Sequence, residues 1–226
     1  METIKFQFDG RDAIVVRPDN PNGKWIWKTE FFDGFDKSEQ ALLGMGYTRV
    51  YYRVSDMYGS SHAVRLMHNF YLELMKRFDL NQKGALLGFS RGGLYAFNFA
   101  LAYPEYVDKV YLDAPVLDLR TWPLPPRVEY FQMLDEYSLD AETLKTFKGH
   151  PVCNFEEYFK LGIPTMIVAG DADEAVPFEK NSALMIEYAE NHGVDITYII
   201  KPGCGHHPHG LEDNTPIIDF VEKYGI

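Results

Sequence analysis

One hexapeptide, Gly88-Phe89-Ser90-Arg91-Gly92-Gly93, largely decides how this chain folds. It ends the apolar run 84–89, which is typical of a parallel strand buried on both faces, and it precedes the apolar run 94–102, which predicts a buried helix. A Gly-x-Ser-x-Gly sequence between a strand and a helix makes a tight, strained turn that exposes the serine hydroxyl. The positions two residues before and after the serine must then be small, which accounts for both glycines. The pentapeptide alone is weak evidence, and a glycine-rich turn that merely packs is the alternative.

Outward from this turn, the chain alternates predicted strands and helices. An opening hairpin over residues 4–16 and a short strand at 24–27 come first. Further strands are predicted at 47–54, 84–89, 107–112, 165–169 and 196–200, and helices at 36–45, 94–102, 179–191 and 217–224, with another long helix capped by Ser60 and Ser61. This order predicts an α/β fold, a mostly parallel sheet of about eight strands with helices on both faces, in a single domain over residues 1–226.

The segment 119–160 interrupts the alternation, because it shows short helical stretches and no strand pattern. Long insertions in compact domains are usually functional, so a small helical lid over a pocket is predicted, with an ordinary crossover as the alternative. The candidate pocket walls are the aromatic residues Trp122, Tyr130, Phe131 and Trp27, for which plain core packing is the other interpretation.

Three acidic side chains, Asp171, Asp173 and Glu174, follow the predicted strand at 165–169. A carboxylate at the carboxyl end of a strand is able to reach a histidine and hold its tautomer. Taken alone, however, an acid in such a loop is more often a turn former.

Three histidines, His206, His207 and His209, follow the predicted strand at 196–200. Histidine is the usual general base, because its pKa lies near neutrality. With Cys204 these residues are also an alternative metal site. Zinc sites usually draw their ligands from two separated pairs, so neither a metal nor another cofactor is expected.

The order serine, acid, histidine, each after a successive buried strand, is the order found in α/β hydrolases. On the stretches 88–92, 170–177 and 203–206, the chain resembles the α/β-hydrolase superfamily over essentially its whole length. The resemblance implies Ser90 as nucleophile, His206 as base and Asp173 as orienting acid. The acid loop of that family commonly reads Gly-x-x-Asp-x-x-Val-Pro, and its histidine follows a small-residue turn at once.

A closer resemblance rests on residues 25–32, 90–93, 113–115 and 206–209, which are similar to a group of bacterial serine esterase-like hydrolases, some of them beside carbohydrate-processing modules. It implies cleavage of a small carboxylic ester, such as an acylated sugar, through an acyl-enzyme. One alternative is a peptidase or amidase like the prolyl oligopeptidase catalytic domains. The absence of a gating domain from this sequence argues for the esterase. The other alternative is a non-catalytic binder, which an intact triad argues against.

Two backbone amides are expected to form the oxyanion hole. The Arg91 N–H lies at the positive end of the following helix. The His-Gly motif that the family usually carries after its third strand is missing, and Lys28-Thr29-Glu30 stands in its place. The second donor is therefore predicted at the Glu30 N–H, with Thr29 next. The Glu30 side chain is expected to pair with a buried basic residue. The Arg91 side chain is expected to pair with an acid under the lid, or otherwise to bind a substrate carboxylate.

The charge balance, 33 acidic against 22 basic residues with a net charge of −11, disfavours nucleic acid and anionic membranes as partners. The two cysteines are too few for a disulfide framework, and neither a signal peptide nor a membrane-spanning run is evident. The expectation is a cytoplasmic enzyme acting on a small-molecule ester. The sequence does not indicate its oligomeric state.

Overall fold

The computed structural model describes residues 1–223. The end of the predicted last helix at Tyr224, and the end of the predicted domain at 226, lie outside the described residues. The eight strands, in chain order, are β1 (Glu2–Phe8), β2 (Arg11–Arg17), β3 (Trp25–Lys28), β4 (Thr48–Tyr52), β5 (Gly84–Phe89), β6 (Val107–Asp113), β7 (Thr165–Gly170) and β8 (Thr197–Lys201). They form one sheet in the order β1-β2-β4-β3-β5-β6-β7-β8. β1, β2 and β4 pair antiparallel, and every other pairing is parallel.

Within residues 1–223, eight α-helices connect and cover the strands. They are α1 (Lys37–Gly44), α2 (Ser61–Arg77), α3 (Gly92–Ala102), α4 (Val128–Tyr137), α5 (Ala141–Thr146), α6 (Phe155–Lys160), α7 (Ser182–His192) and α8 (Thr215–Lys223). The predicted helix 179–191 begins late, because a short 3-10 turn over Phe178–Lys180 comes before α7. Among residues 1–223, no helix combines the length and the apolar character that crossing a membrane requires.

The sheet is buried on both faces by two separate apolar clusters. The larger cluster joins side chains of α2, α3 and α7 to one face, and the smaller joins those of α1 and α8 to the other. Such double burial explains why β5 and β7 read as almost uninterrupted apolar runs. The predicted α/β-hydrolase fold class is confirmed.

The segment 119–160 contains α4, α5, α6 and a 3-10 turn, and none of its residues belongs to the sheet. Leu134, Leu144 and Tyr158 from its three helices are buried in the larger apolar cluster. The segment is therefore packed onto the same core as α3. Its role as a lid stays a prediction.

Parallel pairing puts the carboxyl ends of β5, β6, β7 and β8 along one edge of the sheet. Ser90 follows β5 directly, Asp113 is the last residue of β6, and Asp173 and His206 lie in the loops after β7 and β8. In doubly wound sheets, ligand sites form at this edge.

Candidate active site

Ser90 occupies a strained turn between β5 and α3. Its φ is 51°, in the left-handed region that residues with a side chain rarely adopt, and such strain costs about 1–3 kcal/mol. The turn is held by hydrogen bonds from the Ser90 N–H to the Asp113 carbonyl oxygen at 2.9 Å and from the Gly93 N–H to the Ser90 carbonyl oxygen at 3.0 Å. A Cβ on Gly88 would lie 2.9 Å from that of Ala96. The elbow thus requires glycine at position 88, and at position 92 a Cβ would be tight, 3.0 Å from Thr29 Oγ1.

The structure brings Ser90, His206 and Asp173 together in one hydrogen-bonded chain. His206 Nε2 lies 3.0 Å from Ser90 Oγ, and His206 Nδ1 lies 2.6 Å from Asp173 Oδ2. The Asp173 and His206 side chains are only 2% and 13% exposed. Because little water competes for these bonds, the carboxylate is able to hold the imidazole in one orientation.

Of the three acids in the loop after β7, Asp173 is the one that contacts His206. Its Oδ1 accepts hydrogen bonds from the Ala175 and Val176 amides, both at 2.9 Å, which leaves Oδ2 directed at the histidine. Asp171 instead accepts from the Gly203 N–H at 2.6 Å, and so ties this loop to the loop that carries His206. Glu174 is exposed.

The Glu30 and Arg91 amides both border the elbow, whereas the Thr29 amide is already used. The Thr29 N–H donates to the Leu87 carbonyl oxygen at 3.0 Å, so the alternative of Thr29 as second oxyanion donor is wrong. The Glu30 nitrogen lies close to the elbow, because a Cβ built on Gly92 would be 3.6 Å from it. Within residues 1–223, neither the Glu30 nor the Arg91 N–H donates to another group. Glu30 as oxyanion donor remains a prediction.

The Glu30 and Arg91 side chains form an ion pair. Glu30 Oε2 accepts from Arg91 Nε at 3.0 Å and lies 2.9 Å from Nη2, while Glu30 Oε1 accepts from Ser55 Oγ at 2.7 Å. Burial raises the pKa of Glu30, and the guanidinium opposes that rise. Asp56 is a second partner of Arg91 at 3.1 Å. Arg91 thus pairs with acids, as expected. Those acids, Glu30 and Asp56, lie in the loops after β3 and β4 and not in the predicted lid segment 119–160.

A buried charge network fixes the loop after β3. Lys28 Nζ donates to the Gly34 carbonyl oxygen and lies 2.5 Å from Glu39 Oε1. Arg49 contacts the same carboxylate and donates to the Phe32 carbonyl oxygen. The Lys28, Glu39 and Arg49 side chains are at most 3% exposed. Sequence reasoning did not identify this network. The feature of the sequence that indicates it is Lys28, a charged residue at the end of an otherwise apolar strand, which needs a partner if it is buried.

A second carboxylate–histidine pair lies beside the first. His209 Nδ1 contacts Asp113 Oδ1 at 2.7 Å, and both residues are buried. The ring centroids of His206 and His209 are 4.9 Å apart. In the described part of the chain, His206, His207 and His209 are the group whose geometry suits a metal ion, with ligand atoms within 4.8 Å of one another. Two of these three rings already have Nδ1 bonded to a carboxylate.

The candidate pocket walls have different surroundings. Trp27 is fully buried and packs against Phe99 at 5.4 Å between ring centroids, so its assignment to the pocket is wrong and it belongs to the core. Trp122 lies 6.2 Å from the Tyr58 ring, and Phe131 is 54% exposed. Tyr130 is 9% exposed and packs in the larger apolar cluster.

Comparison with solved structures gives the same fold. The chain aligns with a puromycin-hydrolysing peptidase of Mycobacterium tuberculosis (TM-score 0.73, 13% identity, 97% of this chain and 38% of that one). It also aligns with dipeptidyl peptidase 4 of Porphyromonas gingivalis (TM-score 0.72, 14% identity, 99% and 35%). A third match is the fluorophosphonate-binding serine hydrolase F of Staphylococcus aureus, solved with substrate bound (TM-score 0.71, 12% identity, 98% and 95%). The chain thus spans little more than a third of either peptidase.

A sequence search of curated proteins found no significant match. The sequence profile of the prolyl oligopeptidase family matches residues 71–224, which is more than half of the chain and includes Ser90, Asp173 and His206. The protein therefore belongs to the prolyl oligopeptidase family of serine hydrolases, within the α/β-hydrolase superfamily.

Proposed function

We propose that this serine hydrolase cleaves a small carboxylic ester, with Ser90 as nucleophile, His206 as general base and Asp173 as orienting acid. The observation that carries the proposal is the continuous contact from Ser90 Oγ through His206 to Asp173, at 3.0 and 2.6 Å. Nucleophile, base and orienting group within hydrogen-bond reach are the signature of covalent catalysis.

The reaction proceeds in two halves. His206 Nε2 takes the proton of Ser90 as Oγ bonds to the ester carbonyl carbon, and the Arg91 and Glu30 amides hold the oxyanion. The intermediate collapses, the C–O bond of the ester breaks, and the alcohol leaves with the proton from His206. Water then gives a proton to His206 and attacks the acyl-enzyme, which releases the acid and frees Ser90. Apart from the ester and water, all groups that these steps require come from the chain.

The Arg91 guanidinium has two acidic partners, Glu30 and Asp56. A substrate carboxylate would have to compete with both of them. This arrangement supports a neutral acyl group at the elbow, such as acetyl, over an anionic one.

Peptide hydrolysis is the second candidate, and membership of the prolyl oligopeptidase family favours it. The chemistry of the two reactions is shared, but an amide leaving group must be protonated as it departs, whereas an activated ester leaves readily. A triad competent for amides thus also cleaves esters, and the ester assay tests both candidates.

The test is the hydrolysis of p-nitrophenyl acetate and butyrate by wild type and by Ser90→Ala, with folding checked by circular dichroism. We expect wild-type turnover that survives EDTA and is lost in the folded variant. Aminoacyl p-nitroanilides then decide between ester and peptide as the preferred substrate. Full activity of Ser90→Ala would contradict the mechanism, and a wild type inert toward esters and anilides would favour the non-catalytic binder.

A further inference from the structure

We propose that Asp113 and His209 form a positioning pair that holds the loop carrying His206 in register with the nucleophile elbow. The inference rests on the proposed function of Ser90 and His206. Neither residue of the pair touches the reacting atoms. Both act through the placement of the elbow and of the histidine loop.

Asp113 connects the two catalytic loops directly. Its carbonyl oxygen accepts the Ser90 N–H at 2.9 Å, and its carboxylate accepts from the Gly210 N–H at 2.8 Å and contacts His209 Nδ1 at 2.7 Å. The Tyr111 hydroxyl is a further donor to Oδ2. One residue at the end of β6 therefore fixes the backbone of the nucleophile and the far end of the histidine loop.

Besides its contact with Asp113, the His209 side chain is buried among other rings. Its side chain is 3% exposed, and its ring lies edge-on to Phe35 with the centroids 4.9 Å apart. Phe89, the residue before the nucleophile, lies 5.6 Å away, and the His206 ring lies 4.9 Å away at an interplanar angle of 80°. A shift of His209 would therefore be transmitted to the catalytic imidazole by direct ring contact.

The histidine loop is anchored on both sides of His206. Before it, the Ala172 N–H donates to the Cys204 carbonyl oxygen at 3.0 Å. After it, Asp113 holds His209 and Gly210. Lys201 Nζ also donates to the Pro208 and Gly210 carbonyl oxygens, at 2.6 and 3.2 Å, but the Asp113 carboxylate is the group that fixes the His209 ring against the His206 ring. Loss of that contact frees the His209 ring, and a displacement of about 1 Å at a reacting group lowers catalysis by about 100-fold.

The experiment compares His209→Asn with His209→Gln, which differ by one methylene. The asparagine amide nitrogen reaches the place of Nδ1 and keeps the donation to Asp113, whereas the glutamine amide reaches the place of Nε2. We expect His209→Gln to lose about 100-fold in kcat for p-nitrophenyl acetate with little change in KM. His209→Asn should keep most of the wild-type rate. Rates are expressed per folded molecule, with stability measured by urea unfolding.

A purely structural role gives a different pattern, in which both variants are destabilised and each folded molecule turns over at the wild-type rate. That result, or full kcat in His209→Gln, overturns the inference. An equally large loss of kcat in both variants also overturns it, because a hydrogen-bond donor at the place of Nδ1 would then have no effect on the rate.

A spectroscopic measurement separates this inference from the proposed function. The low-field proton resonance of the His206–Asp173 hydrogen bond reports the imidazole placement whether or not an ester is turned over. We expect the resonance in wild type and in His209→Asn, and its broadening in His209→Gln. An inert wild type with this pattern would remove the esterase proposal and leave the positioning pair intact. A sharp resonance in His209→Gln would remove the pair.

Discussion

At the scale of single residues, Asp173 determines which nitrogen of His206 faces Ser90. Its Oδ2 accepts a hydrogen bond from the Nδ1–H group, so the Nε2 lone pair points at Ser90 Oγ. In Asp173→Asn the Oδ1 atom still accepts from the Ala175 and Val176 amides, so the loop keeps its shape. The amide NH₂ would face Nδ1 and favour the tautomer that carries its proton on Nε2, which cannot accept the serine proton. We predict a fall in kcat of about 10⁴-fold for p-nitrophenyl acetate, measured on protein shown to be folded.

Asp171→Asn is the matched control, because Asp171 lies in the same loop but bonds the Gly203 N–H. The asparagine carbonyl oxygen accepts that bond equally well. Its kcat should therefore stay close to the wild-type value. Equal losses in the two variants would mean that the loop as a whole, and not the tautomer of His206, sets the rate.

The candidate triad could be predicted from the sequence, because the chemistry of each member requires a particular residue type at the end of a particular strand. Asp173 and His206 follow such strands and lie where the pattern places them. The pairs Glu30–Arg91 and Asp113–His209 join residues 61 and 96 positions apart. Neither hydrophobic periodicity nor turn chemistry encodes which distant polar groups meet, so sequence reasoning did not identify those partners.

At the scale of secondary-structure elements, the predicted bounds match those of the structure best where the element is buried. The strand predicted at 84–89 is β5 residue for residue, since apolar side chains cover both of its faces. The strand predicted at 47–54 is β4 over Thr48–Tyr52, because Arg53 and Val54 leave the sheet for the loop that holds Asp56. Element ends are set by tertiary contacts that a local pattern does not contain.

The segment 119–160 is attached to the core through a histidine that must stay neutral. His150 is fully buried, and its Nδ1 accepts the Leu119 N–H at 3.3 Å. Burial lowers the pKa of His150 below its usual 6.5, while the Asp118 carboxylate opposes that shift. The pKa of His150 is therefore lower in the folded state than in the unfolded chain. As a result, the contribution of neutral His150 to the free energy of unfolding is complete above about pH 6.5. It is lost as the pH falls through the folded-state value, because the unfolded chain binds the proton first.

The corresponding prediction concerns His150→Asn, whose Oδ1 takes the place of Nδ1 and accepts the same N–H without titrating. The difference in unfolding free energy between wild type and this variant should shift in favour of the variant from pH 7 to pH 5. Urea unfolding at pH 7, 6 and 5 measures it. A pH-independent difference for His150→Asn would contradict a neutral His150.

At the scale of the whole molecule, the segment 119–160 and one face of the sheet share the larger apolar cluster. Met133 of α4 and Phe155 of α6 are buried in the same apolar cluster as Leu112 of β6 and Phe97 of α3. Polar contacts reinforce this, since the Tyr137 hydroxyl donates to the Tyr58 carbonyl oxygen at 2.8 Å. A unit that shares its core in this way should unfold together with the rest of the chain, even if its outer surface opens to admit substrate.

The distribution of the three tryptophans makes that cooperativity measurable. Trp25 and Trp27 lie on β3 inside the core, whereas Trp122 lies in the segment. In urea, the fluorescence of wild type and of Trp122→Phe should give the same midpoint as far-UV circular dichroism, because coincident transitions indicate one cooperative unit. An early fluorescence transition that is present in wild type and absent from Trp122→Phe would show that the segment unfolds first. The core it shares with β6 would then contribute little to its stability, and substrate access would depend on local unfolding of α4–α6 instead of movements at their surface.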